Sequence, residues 1–201
     1  MDAIWEVSER DLHEATLAAI ARFARTSPRA VVCSFFFDCD EPRYGRMAIS
    51  LDTLENNVRT AKKQEQRAVE RRRKNLSGKL TWQWAKYQLR TPVLSPFNTN
   101  GGDFAFQQFA VVEFPAWRKL AKKGGYPVGA AHEDDYLESN ARLVIWRVIE
   151  RLVADGAFEP LTLAAPFMVG YSIHDQESAI LRLLNWPAVA EPGAAADGVG
   201  V

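Results

Sequence analysis

Two apolar runs joined by a polar turn stand out in residues 29–52, RAVVCSFFFDCDEPRYGRMAISLD. Strand-like runs flanking a turn that holds Pro42 and Gly45 are the signature of a hairpin. In the first run Val31, Cys33, Phe35 and Phe37 alternate with Val32, Ser34 and Phe36, so both faces are largely apolar and the strand is expected at the centre of its sheet. In the second, Met47, Ile49 and Leu51 alternate with Ala48, Ser50 and Asp52, which predicts one covered face and one thinly covered or wet.

Helical spacing surrounds the hairpin. Leu12, Ala15, Ala19, Ile20 and Phe23 recur over residues 8–25, with Ser8 as the expected N-cap and Ser27-Pro28 as the stop. Asp52 or Thr53 caps a second helix, with Glu55 in capping-box spacing and a short seam of Leu54, Val58 and Ala61. The seam fades after Ala61. Residues 59–79 then carry Arg59, Lys62, Lys63, Arg67, Arg71, Arg72, Arg73, Lys74 and Lys79 against Glu65 and Glu70. This stretch reads as a basic, partly projecting helix.

A block rich in aromatics and broken by Pro92, Pro96, Gly101 and Gly102 follows, and only residues 104–114 in it read as a strand. Pro115 suits the first turn of a short helix that Gly124-Gly125 ends. The broadest apolar stripe comprises Leu137, Ala141, Val144, Ile145, Val148, Leu152 and Val153, with Asp134 and Asp135 at the positive end of its helix and Gly156 at its stop. Phe167, Val169, Tyr171 and Ile173 alternate as a strand. Asp175 then caps a predicted last helix holding Ala179, Ile180, Leu183 and Leu184, and Pro187 closes it. Residues 188–201 lack large apolar side chains and are expected to be disordered. Separated strands, one direct hairpin and covering helices predict an α+β fold over residues 1–187, with a mixed or antiparallel sheet built around the hairpin.

Composition narrows the classes of function. The 201 residues are 47% hydrophobic and 11% aromatic, enough to bury the core of one domain. Lys plus Arg equals Asp plus Glu at 25 each, which removes a global argument for nucleic acid or an anionic membrane. The acidic N-terminal stretch and the lack of a long apolar run predict a cytoplasmic protein with no membrane partner. Cys33 and Cys39 lie six positions apart, roughly 20 Å along a strand against the ~5.5 Å between Cα atoms that a disulfide needs, so both are expected to be reduced.

Few residues offer chemistry. Asp38 and Asp40 in the hairpin turn are a fragment of a calcium loop, but Pro42 interrupts it and a polar turn explains them. His132, Glu133, Asp134 and Asp135 are consecutive, and a helix start explains them better than a metal does. His174 and Asp175 close a strand, where acid-base residues commonly sit, and with Asp38 and Asp40 they form the alternative, catalytic reading. No cofactor or metal motif is present. Trp82, Trp84 and Tyr87 either fill a core under long loops or line a groove for a partner, and with Arg67, Arg71 and Arg72 they are the expected contacts to a protein partner. The basic stretch also makes nucleic acid a weaker second alternative.

The stretches FFFDCDEPRYGRMAISLDT and HDQESAILRLLNWP, with the Trp-rich middle between them, resemble an uncharacterised bacterial family of small α+β proteins, some of them similar to immunity proteins of toxin systems. The resemblance implies a bacterial cytoplasmic protein that binds another protein, a toxin among the candidates, and it transfers no catalytic residue.

Overall fold

The computed structural model describes residues 3–39, 41–76, 101–123, 133–173 and 178–185. The hairpin forms as its pattern predicts. Strand β1 (Val31–Cys39) pairs antiparallel with β2 (Arg46–Thr53) across a short 3-10 turn, Pro42–Tyr44. Gly45 ends that turn at φ 56° and donates its N–H to the Pro42 carbonyl at 2.9 Å. Its own carbonyl accepts the Phe114 N–H at 2.7 Å. A Cβ here would lie 2.3 Å from the Phe114 carbonyl oxygen, so this corner needs glycine both for its backbone angle and for the close approach.

Three further strands complete one five-stranded sheet in the order β3-β2-β1-β4-β5. They are β3 (Phe106–Glu113), β4 (Thr162–Ile173) and β5 (Ala179–Leu184). Strand β1 is central, as both of its apolar faces require, and β4 runs parallel to it while the other neighbouring pairs are antiparallel. The fold is α+β with a mixed sheet. A bulge between Val32 and Ser34 lets Cys33 slip the alternation, so Val32 joins Phe35, Phe37 and Cys39 on the main core face.

That face is covered by helices α1 (Ala3–Thr26), α3 (Pro115–Lys123) and α4 (Glu133–Ala154). Leu137, Ala141, Ile145, Val148 and Leu152 of α4 are at most 1% exposed beside Phe35, Phe37 and Phe167. Burying each large apolar side chain contributes about 2 kcal/mol of transfer free energy, so this layer dominates the stability of the fold. Gly156, at φ 65°, closes α4 with the paired bonds Gly156 N–H to Val153 O and Ala157 N–H to Leu152 O.

Four expectations are corrected. Helix α1 begins at Ala3, and Ser8 is an interior residue whose hydroxyl donates to Ile4 O at 2.7 Å and accepts the Trp117 indole N–H at 2.8 Å. Strand β4 starts at Thr162, five residues before the alternation visible from Phe167. The predicted last helix is strand β5, since Ala-Ile-Leu-Arg-Leu-Leu is too short an apolar run for periodicity to separate the two states, and pairing with β4 decides it. The second face of β2 is dry: Ala48 is 5% exposed and Ser50 and Asp52 are fully buried. Among the described residues no helix is long and apolar enough to cross a membrane.

Candidate interaction surface

Helix α2 (Leu54–Leu76) leaves the sheet directly from β2, and what holds its first turns is polar. Thr53 caps it, accepting the Asn56 N–H on its hydroxyl at 3.3 Å. Asp52, fully buried just before the cap, gathers four donors. Its Oδ1 accepts from the Thr53 N–H (3.0 Å), Asn56 Nδ2 (2.7 Å) and the Ala105 N–H (3.1 Å), and its Oδ2 accepts from Asn57 Nδ2 (3.2 Å). Asn56 also donates to the Asp103 carbonyl at 2.8 Å, and Gln64 Nε2 reaches the Asp103 carboxylate at 3.3 Å. The helix is thereby tied to the segment leading into β3.

The side of α2 turned to the fold is Asn56, Asn57, Thr60 and Gln64, buried or half-buried, with the half-buried Ala61 at its edge as the one apolar side chain over residues 56–64 that is not exposed. The predicted apolar seam points the other way. Leu54 is 40% exposed, Val58 46% and, farther along, Val69 64%. This reverses the expected orientation, and the physical reason is that the anchored carboxylate of Asp52 needs the two asparagine amides. Beside the seam lies an open groove of about 470 Å³ lined by Arg29, Ala30, Val31, Thr53, Leu54, Glu55 and Val58.

Arg59, Lys62, Lys63, Arg67, Arg73 and Lys74 are all exposed. Arg59 donates to Asn56 Oδ1 at 2.7 Å, and Lys74 pairs with Glu70 at 3.6 Å. Arg71 and Arg72 belong to α2 by their backbone. Arg59, Lys63, Arg67 and Arg71 follow one another at i, i+4, a spacing at which like charges repel by a few tenths of a kcal/mol per pair. The expected contact residues Trp82, Trp84 and Tyr87 lie outside the described residues.

Of the catalytic alternative, Asp40, His174 and Asp175 also lie outside the described residues, and Asp38 alone can be placed. It is the penultimate residue of β1, between Ala48 of β2 and Ser172 of the parallel strand β4. Ser50 donates its hydroxyl to the Asp38 carboxylate and accepts the Gln108 N–H at 3.1 Å. Burial pushes the Asp38 carboxyl above its ordinary value of 3.8, and the Ser50 hydrogen bond opposes that. Ser50 is fully buried, so its hydroxyl fixes the carboxylate and is not open to a substrate. Among the described residues no group of three or more His, Cys, Asp and Glu side chains is arranged to hold a metal ion.

The Asp52 anchor went unread in the sequence beyond its capping role. The available signal was the adjacent Asn56-Asn57 pair, four and five residues on, which is unusual for a helix interior. Comparison of the chain with models of protein families, with curated proteins and with solved structures finds no match.

Proposed function

We propose that this chain is a non-catalytic protein-binding module of the cytoplasm, immunity-like in its role, whose contact surface is α2 together with the aromatic block that follows it. The observation carrying this reading is the orientation of α2, which spends its polar side on the fold and leaves Leu54, Val58 and Val69 with six basic residues in solvent. A helix that only needed solubility would do the reverse. Apolar side chains at the centre of a contact and charges at its rim are the usual anatomy of a protein interface.

Trp82 and Trp84, as aromatic anchors, are expected to cost about 2 kcal/mol or more of binding each on truncation. Trp82→Ala or Trp84→Ala therefore abolishes capture of the partner while the fold survives, and Arg71→Ala with Arg72→Ala weakens it most at low salt. A toxin is the first partner class to test. Retained capture by both tryptophan variants and by the arginine pair defeats the reading.

A specific observation favours a second reading, an enzyme. Asp38 stands at the carboxyl end of the parallel pair β1 and β4, where ligands gather in open sheets, and burial holds its carboxyl toward the protonated form. On that reading His174→Ala and Asp38→Asn each abolish the cellular phenotype while the tryptophan variants keep it, all being folded.

A further inference from the structure

We infer that the segment of the partner that docks on α2 is an acidic amphipathic helix, seated in the groove beside Leu54 and Val58 with its carboxylates on the basic flank of α2. This rests on the protein-binding reading and names the chemistry of the partner.

The apolar part of the argument is spacing. Leu54, Val58 and the half-buried Ala61 fall at i, i+4 and i+7, a ridge about 10 Å long on the solvent side of α2. The groove alongside it is lined by Ala30 and Val31 at the entry to β1, with Arg29 and Glu55 as its charged residues, so the partner's carboxylates belong on the basic flank beyond Val58 and not beside Glu55. A ridge and groove of this kind accept a helix whose own anchors recur at i, i+4 and i+7. An extended segment has no backbone to pair with here, since β1 is hydrogen-bonded to β2 on one side and β4 on the other.

Charge decides the rest. Helix α2 contains eight basic and three acidic residues in a chain of zero net charge, leaving an excess of five positive charges on one helix. Going around the helix from the apolar ridge, Lys62 lies one turn beyond Val58 on the same side, Val69 two turns farther, and Arg73 one turn past that. Arg59, Lys63 and Arg67 form the adjoining line. Carboxylates flanking a partner's apolar stripe would relieve the i, i+4 repulsion in that line. A nucleic-acid backbone fits less well. Its phosphates gain nothing from Leu54, Val58 and Val69 and are repelled by Glu55, Glu65 and Glu70, which are exposed on the same helix.

The test uses the full chain and fluorescence anisotropy. The probe is a designed helical peptide of about 20 residues, long enough to hold helix, with Leu at i, i+4 and i+7 and Glu on both flanks. A version with Lys on the flanks and a DNA duplex serve as competitors. Saturable binding of the Glu peptide is expected, lost with the Lys peptide, and weakened at least about tenfold by Val58→Asp and by Lys62→Glu. Both positions are exposed, so unchanged circular dichroism and melting would show the variants folded. The inference is overturned if the duplex binds more tightly than the Glu peptide, if Val58→Asp leaves the affinity unchanged, or if sedimentation shows the groove filled by a second copy of the chain. If the Glu peptide does not bind while α2 variants still abolish capture of the cellular partner, the partner chemistry is wrong and the protein-binding reading stands. Capture that survives the α2 variants overturns the inference, and capture that survives the tryptophan variants and the arginine pair as well overturns both.

Discussion

Three buried groups set how single residues respond to their surroundings. Asp38 holds its proton more tightly in the folded chain than in the unfolded one, because burial raises its carboxyl above 3.8. The folded state therefore binds the extra proton between those two values, and stability falls as pH rises through that window. Asp38→Asn removes this slope and raises stability at neutral pH, which urea unfolding measured from pH 3 to 7 will read. His13 behaves in the opposite sense. Burial and the nearby Arg151 lower its imidazole from 6.5, with Asp155, Glu9 and Glu14 only partly offsetting them. Its contribution is thus lost as pH falls below the ordinary value of 6.5, and His13→Gln flattens stability there. Cys33 sits at the β1 bulge with its thiol pushed up to about 12, chiefly by burial. Both cysteines are buried thiols outside any disulfide, so a thiol reagent labels neither quickly in the native chain and both after unfolding.

At the scale of elements, the contacts that hold α2 among the described residues are concentrated at its start. Asp52→Ala removes the buried acceptor shared by the Asn56 and Asn57 amides and the Ala105 N–H, so a loss of about 1–3 kcal/mol is expected in denaturant unfolding. Hydrogen exchange is expected to protect the amides near Asn57 and to release those from Arg67 to Lys74 far earlier than those of Val144 and Ile149. Arg67, Val69, Arg73 and Lys74 are exposed, whereas Val144 and Ile149 are in the core. How much of each element could be read beforehand follows from its length and its partners. Helix α4 repeats its stripe over more than four turns, from Leu137 to Val153, and its existence, face and glycine stop were all legible. Strand β5 has six residues and was not, because its state is settled by β4 across the sheet. The seam of α2 was legible as a pattern but not in its orientation. Periodicity says which residues share a side, and only the buried carboxylate of Asp52, an interaction between elements, says which side faces in.

In the molecule as a whole, the hairpin placed the centre of the sheet correctly because a strand apolar on both faces has nowhere else to go. The parallel neighbour β4, more than a hundred residues away, carried no local mark. The result is an uneven distribution of roles. One face of the sheet is a thick apolar layer under α1, α3 and α4, and the other holds a small cluster of Phe36, Phe104 and Met168 beside the polar Asp38, Ser50 and Asp52. From that second face α2 extends for about 35 Å with its apolar and basic sides outward. On the protein-binding reading proposed above, the sheet is the mount, α2 is what it presents, and the chain would act by association. The direct test is affinity capture from cells of the native host, with wild type, the pair Val58→Asp with Lys62→Glu, and His174→Ala run side by side after each is shown to be folded. The account predicts one protein enriched equally by wild type and His174→Ala and lost with the α2 pair. Enrichment that survives the α2 pair, or a cellular phenotype lost in His174→Ala and kept in the α2 pair, would contradict it.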